Sequence, residues 1–322
     1  MKILITGSQG FIGSYICNDL LQNNYHVIGV DNYSKYGMIK RTHDEHLNFR
    51  LYREDIASDA LYFNDLVAYE KPDIIIANAA MIGGISYFHK YPYKLLAVNE
   101  RILANTFDAC RSLGNETLKR IIVMSSSMVY ENATVFPSPE EHIKHCPPPC
   151  STYGMQKLMC EYFALGAYQE FGLPYTIVRP FNCVGIGEED KFQSHVLPDF
   201  VRKAIEKETP FGILGDGSQV RCFTHGEDIA RAIRCCIENP KAENETFNIS
   251  SSSSMTMLDL AKQVWKVVNS NASFEYKCLP SFEWDVKYRV PDVNKAKNLL
   301  DFVAIIPIQS AIEELVQLYQ KK

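Results

Sequence analysis

The N-terminal stretch "KILITGSQGFIGSY" constrains this chain more than any other. A short apolar run is followed by glycines at positions 7, 10 and 13, and then by the helical pattern "FIGSYICNDLLQNN". Glycine lets a backbone turn tightly and approach a bound group closely. The helix that follows aims free N–H groups and the positive end of its dipole at the same spot. Strand, glycine turn and helix in this order make a pyrophosphate site, with Gly7, Gly10, Phe11, Ile12 and Gly13 as its expected contacts. The spacing is G-x-x-G-x-x-G rather than G-x-G-x-x-G, so the weight rests on the strand before and the helix after. Asp31 closes the second strand, "HVIGVD", eighteen residues after Gly13. A carboxylate there accepts hydrogen bonds from an adenosine ribose and repels a 2′-phosphate, which favours NAD over NADP. Asn32 follows it at the strand end. Asp55 and Ile56 are expected to end the third strand, beside the adenine ring.

The alternation continues along the chain. "FRLYRED" and "PDIIIANAA" read as the third and fourth strands, "RIIVMSSS" as the fifth and "PYTIVRP" as the sixth, with helical patterns over 93–114 and 151–172. Alternating strands and helices build right-handed βαβ units and hence a parallel sheet. "DIIIA" and "RIIVM" are apolar on both faces, as strands covered by helices on both sides must be. The expected fold class is α/β, a Rossmann-type doubly wound parallel sheet over residues 1–180. Beyond residue 180, Gly and Pro punctuation thickens, and helical patterns at 226–239, 256–269 and 307–322 interrupt a looser region. This predicts a smaller mixed α/β substrate-binding lobe over 181–322, with no linker and a return segment to the sheet at about 225–250. The serine run at 250–254 reads as a loop before a helix.

Composition narrows the partners. Apolar residues make up 46% and charged residues 22% of 322, the balance of an ordinary soluble protein. The net charge is -5 with no basic run, which argues against a nucleic-acid partner. "MKILITG" is too short for a secretory signal, and no apolar run approaches the ~18 residues of a membrane span, so a cytoplasmic protein is expected. The ten cysteines are scattered without a C-x-x-C pair or zinc-type spacing. They read as free thiols in core positions, with no metal site.

A second constellation lies in "CPPPCSTYGMQK". Three prolines stiffen the approach, Ser151 can cap a helix, and Tyr153 and Lys157 then stand four residues apart on one helix face. The serines of "SSS" end the fifth strand, at the carboxyl edge where ligands bind in open α/β sheets. A phenol with a pKa near ~10 is a poor base at neutral pH. A nearby ammonium and a cationic nicotinamide both favour the phenolate. Tyr153 is therefore read as the acid/base, Lys157 as the group that tunes it and reaches the nicotinamide ribose, and a strand-end serine as the holder of the reacting hydroxyl.

The set "TGSQGFIG", "VD", "NAA", "SSSMVY", "STYGMQK", "RPFN" and "GDGSQVRCF" resembles the extended short-chain dehydrogenase/reductases, in particular their nucleotide-sugar epimerase branch. The likeness runs in order from residue 1 to about 300. It implies that Ser126, four residues before Tyr130 of "VY", is the catalytic serine, with Ser125 and Ser127 as neighbours. It also implies that Ala79, Ala80, Asn99 and Ser125 line NAD. For a nucleotide-diphosphate sugar it implies Asn182, His195, Val196, Arg221 and Arg289 as contacts, together with Ser126 and Ser127. Guanidinium suits diphosphate because its planar fork matches phosphate geometry.

Members of this family begin alike, by removing a sugar hydroxyl proton while C4 hydride passes to NAD⁺. An epimerase then returns the hydride to the opposite face of a 4-keto sugar. Dehydratases place an acid pair or a glutamate directly after the catalytic serine or threonine, and decarboxylases usually a glutamate. Ser127 and Met128 stand there in this chain and cannot act as acids. The expectation is an NAD-dependent nucleotide-sugar epimerase, an isomerase of carbohydrate biosynthesis. A dehydrogenase, 4,6-dehydratase or decarboxylase of the same fold is the alternative, and a non-catalytic NAD sensor a further one. The family also implies a homodimer through the helices near 95–112 and 151–170. Three positions depart from its pattern: Glu131 for glycine, Cys222 for aspartate and His195 for asparagine. Tyr130 is expected to point Glu131 away from the sugar; the alternative is that Glu131 lies near the sugar and acts as the missing acid. Arg179, His89 and His225 are read as structural.

Overall fold

The computed structural model describes residues 1–83, 90–188, 195–281 and 285–321. Its centre is a seven-stranded sheet built from β1 (Lys2–Thr6), β2 (His26–Asp31), β3 (Phe49–Arg53), β4 (Ile74–Ala77), β5 (Arg120–Met124), β6 (Tyr175–Pro180) and β11 (Glu245–Ile249). Their order is β11-β6-β5-β4-β1-β2-β3, and every pair is parallel. The chain runs outward from β1 to β3 and then crosses back to β4, so the direction of winding reverses between β1 and β4. A crevice opens at the carboxyl ends of the strands at such a reversal.

Period-two alternation decides which helix each strand residue meets. Ile3 and Ile5 face a layer that contains Ile16 and Leu20 of α1 (Phe11–Gln22) and Ile229 and Ile233 of α6 (Gly226–Glu238). Leu4 faces the opposite layer, with Phe63 of α2 (Ala60–Glu70), Phe107 of α3 (Pro92–Leu113) and Ala164 of α4 (Thr152–Phe171). Burying each such side chain contributes roughly 1.5–3 kcal/mol, which is why the apolar runs of β4 and β5 were readable as two-faced strands.

The second lobe packs α5 (Val196–Ile205), α7 (Met257–Val268) and α9 (Ile308–Gln320) around Phe211, Trp265 and Leu315. Its strands are short. β8 (Phe211–Leu214) pairs with β13 (Tyr276–Leu279), and β9 (Val220–Cys222) lies between β12 (Ser254–Thr256) and β14 (Tyr288–Arg289). A two-stranded link, β7 (Cys183–Val184) with β10 (Thr224–His225), joins this lobe to α6, and α8 (Asn294–Leu300) lies near β11. Ser254 of the serine run opens β12 and is not loop.

Two strands end earlier than expected and one helix has little sequence signal: β5 stops at Met124, before the serines. β3 ends at Arg53, so Asp55 and Ile56 follow the strand instead of closing it; Asp55 turns the chain by accepting from the Ala57 N–H at 3.0 Å. α2 carries no sequence signal of its own beyond Asp59, which caps it by accepting from the Tyr62 N–H at 3.1 Å. No helix among the described residues is long and apolar enough to cross a membrane.

Candidate active site

A cleft of about 980 Å³ follows the carboxyl edge of the sheet into the second lobe. That lies at the upper end of the range for small-molecule sites. Every cofactor and substrate residue named above lines it except Gly13 and Asn99. These two stand behind its wall. A side chain at Gly13 would put its Cβ 2.0 Å from the Gly7 carbonyl oxygen, so only glycine lets α1 start this close to the turn. Asn99 clasps Met81, accepting from its N–H at 2.6 Å and donating to its carbonyl at 3.0 Å. It shapes the wall from the second row.

The cofactor half is built for an anion. α1 begins at Gly10 with no side-chain cap and no acidic residue in its first turn, leaving the N–H groups of its opening residues for a ligand. Thr6 and Asn78 stitch β1 to the end of β4: the Thr6 hydroxyl accepts from the Asn78 and Ala79 N–H groups, each at 3.0 Å. Asp31 accepts from the Gln9 N–H at 2.9 Å and the Tyr33 N–H at 2.8 Å. Burial raises its carboxyl above the usual range while those donors oppose the shift. An uncapped helix start beside a fixed carboxylate fits a dinucleotide. Tyr33, Lys35 and Tyr36 also face this half; the aromatic and basic residues directly after the strand end were the signal for them.

The serines follow β5. Ser126 caps a 3₁₀ turn over Ser127–Tyr130, its hydroxyl accepting from the Met128 N–H at 3.2 Å. Ser151 caps α4 by accepting from the Gly154 N–H at 3.0 Å. A Cβ on Gly154 would lie 2.9 Å from the Met128 carbonyl oxygen and 2.6 Å from Pro149. The glycine after Tyr153 is what allows the helix to abut the Ser126 turn, and the prolines fix its approach. Tyr153 and Lys157 are both buried at the cleft wall. Lys157 Nζ donates to the Met124 carbonyl at 2.7 Å, which leaves two of its three N–H donors.

Glu131 departs from expectation. It lines the cleft instead of pointing away, and its Oε2 accepts from the Ser151 N–H at 2.8 Å. The 3₁₀ turn is the reason: residues three apart eclipse one another, and the Glu131 N–H bonds the Met128 carbonyl at 3.2 Å. Residues 128 and 131 therefore share the cleft side. Met128 packs there with Tyr153, Leu95 and Ile82.

In the second lobe Arg221 and Arg289 stand opposite one another on β9 and β14. Arg289 Nη1 donates to Asn182 Oδ1 at 3.3 Å, and its Nε is buried without a hydrogen-bond partner among the described residues. Arg221 Nη2 lies 3.5 Å from Asp285 Oδ1. Burial, then repulsion from Arg289, push Arg221 down to about 9, and burial likewise lowers Arg289. Two buried guanidiniums side by side are relieved by an anion between them. His195 pairs closely with buried Glu188 and heads α5 together with Val196. His225 is buried behind the cleft against Glu314 at 3.1 Å, Cys222 is buried and does not line it, and His89 lies outside the described residues.

The model for the NAD dependent epimerase/dehydratase family matches residues 3–250, and the chain belongs to that family. NAD is the cofactor that goes with it. The chain is 27% identical over 329 residues to the UDP-N-acetyl-alpha-D-glucosaminuronate decarboxylase of Bacillus cytotoxicus, covering 99% of this chain and 98% of that one. It is similar in structure to the UDP-glucose 4-epimerase of Thermotoga maritima with UDP-glucose, at a TM-score of 0.87 and 28% identity over 100% of this chain and 99% of that one. The UDP-glucuronic acid 4-epimerase of Bacillus cereus in complex with UDP-glucuronic acid and NAD gives a TM-score of 0.85 and 28% identity, covering 99% and 100%.

Proposed function

We propose that this protein is an epimerase that inverts C4 of a nucleotide-activated sugar. The observation that carries the reading is the side chain beside Tyr153. The positions directly after Ser126, where the resemblance places an acid in eliminating and decarboxylating enzymes, hold Ser127 and Met128, and Met128 belongs to an apolar cluster with Tyr153. A thioether carries no proton to a leaving hydroxyl, and Glu131, a carboxyl that does line the cleft, is tied to the Ser151 N–H at 2.8 Å.

The residues divide the work as follows. Gly7, Gly10, Phe11 and Ile12 receive the cofactor's pyrophosphate, and Asp31 its adenosine ribose. NAD⁺, when bound, supplies the hydride acceptor. Tyr153 takes the proton of the C4 hydroxyl and later returns it. Ser126 Oγ already accepts from Met128, so its own O–H is free to donate to the sugar oxygen. Lys157, anchored on Met124, keeps donors for Tyr153 and the nicotinamide ribose. Arg221, Arg289 and Asn182 grip the diphosphate, which leaves the sugar free to turn over while the nucleotide stays in place. The protein acts as a homodimer through α3 and α4; α4 exposes Met159, Tyr162 and Tyr168.

Decarboxylation is the second reading, favoured by the Bacillus cytotoxicus relative. Mixing the NAD-loaded protein with UDP- and GDP-sugars and following mass and proton NMR separates the two. Inversion at C4 without change of mass or build-up of NADH supports the epimerase. Loss of carbon dioxide or water, or stoichiometric NADH, supports the alternatives.

A further inference from the structure

We infer that Glu131 makes the sugar end of the cleft selective for substrates uncharged at C6, so that nucleotide-activated hexoses are accepted and uronates disfavoured; this rests on the C4-epimerase reading. Glu131 is 9% exposed, and its Oε2 is pinned by the Ser151 N–H at 2.8 Å. Ser151 lies two residues before Tyr153 at the start of the same helix. A carboxylate is thus fixed near the reacting phenol. In a hexose C6 is two bonds from C4, so a sugar that presents C4 to Tyr153 carries its C6 substituent into this neighbourhood.

The remaining charges do not offset a second carboxylate. Lys203 is held by Asp199 at 2.9 Å. Arg221 faces Asp285, and Arg289 has Glu131 and Asp285 as its acidic neighbours. A diphosphate brings two negative charges, which take up both guanidiniums. Lys157 is given to the Met124 carbonyl and the reacting groups, and Lys94 lines the cleft from an exposed position where water screens its charge. Lys35 and His195, which also line the cleft, both act on Glu188. A uronate therefore adds a charge next to Glu131 that these cations do not offset. Like charges at such range in a partly dry site separate substrates by on the order of 10- to 100-fold.

The test first ranks uridine, guanosine, cytidine and thymidine diphosphates by affinity for the NAD-loaded protein. It then compares the glucose and glucuronate forms of the tightest binder. Both kcat/KM for C4 inversion and, in a Tyr153→Phe background, Kd are measured. The expected result is a preference of at least about 10-fold for the glucose form, with that ratio falling at least about 10-fold in Glu131→Gln. The glutamine oxygen still accepts from Ser151, so this variant removes the charge and keeps the tie; a melting curve confirms that it folds. Equal use of the two sugars, a preference for glucuronate, or an unchanged ratio in Glu131→Gln overturns the inference. C4 inversion without discrimination defeats the selection alone. Discrimination in binding without C4 inversion defeats the epimerase reading alone.

Discussion

Arg179 lays two donors of its guanidinium on Glu161, Nε at 2.8 Å and Nη2 at 2.7 Å, inside the fold. The Ser125 hydroxyl donates to the same carboxylate at 2.6 Å, and Arg179 Nη1 also bonds the Tyr130 hydroxyl. One buried pair therefore braces the chain on both sides of Ser126. Burial opposes the guanidinium charge, but Glu161 outweighs it and holds Arg179 above its ordinary range. Glu161→Gln or Arg179→Met leaves the partner charge uncompensated and is expected to cost about 3–5 kcal/mol in urea unfolding. Replacing both by apolar residues recovers most of that loss.

In the proposed cofactor site Asp31 meets the adenosine ribose, so a 2′-phosphate there faces a like charge. Asp31→Asn is expected to raise the preference for NADP relative to NAD by about 10- to 100-fold. Competitive titration of the two dinucleotides measures it. Part of the NAD affinity falls too, because the Gln9 and Tyr33 N–H groups lose a charged acceptor.

The strain between Arg221 and Arg289 predicts ligand-linked stability. A nucleoside diphosphate at about 100 times its Kd adds about 2.7 kcal/mol to unfolding. The neutral nucleoside gives little, since it does not separate the two charges. In Arg289→Met a diphosphate at the same concentration gives a melting shift reduced by about half, corresponding to a tenfold loss of affinity.

His43 is buried, with its ring edge-on to Phe49 at 4.7 Å and Gln9 and Asp44 beside it. Burial is the main force that lowers it to about 4, against a free value of 6.5. The unfolded chain takes up this proton first. The contribution is therefore full above pH 6.5 and is lost as pH falls toward 4, a drop of about 3 kcal/mol. Chemical denaturation across that window reads it, and His43→Phe removes this part of the slope.

Legibility followed burial. β1, β4 and β5 are covered on both faces, so their apolar runs could be read directly. β3 is one of the sheet's two edge strands, only partly covered, and it ends at Arg53, before the expected Asp55 and Ile56. α2 hid because Leu61, Tyr62 and Tyr69 are apolar residues on its exposed side and blur the helical period. The glycine turn, Asp31, Tyr153 and Lys157 were visible because each follows from local spacing. Glu131 stood out only as a departure from the family pattern, and the 3₁₀ turn is what returns it to the side of Met128. Asp285 and Met81 reach the cleft through packing of distant segments, which no local pattern carries.

The most direct measurement is C4 inversion of a nucleotide sugar by the NAD-loaded protein and its Tyr153→Phe variant, followed by NMR, with binding of NAD and nucleotide measured alongside. The account predicts that the native protein inverts C4 at constant mass and that the variant loses at least about 100-fold in kcat while binding both ligands. Inversion by Tyr153→Phe within a few-fold of the native rate would contradict it.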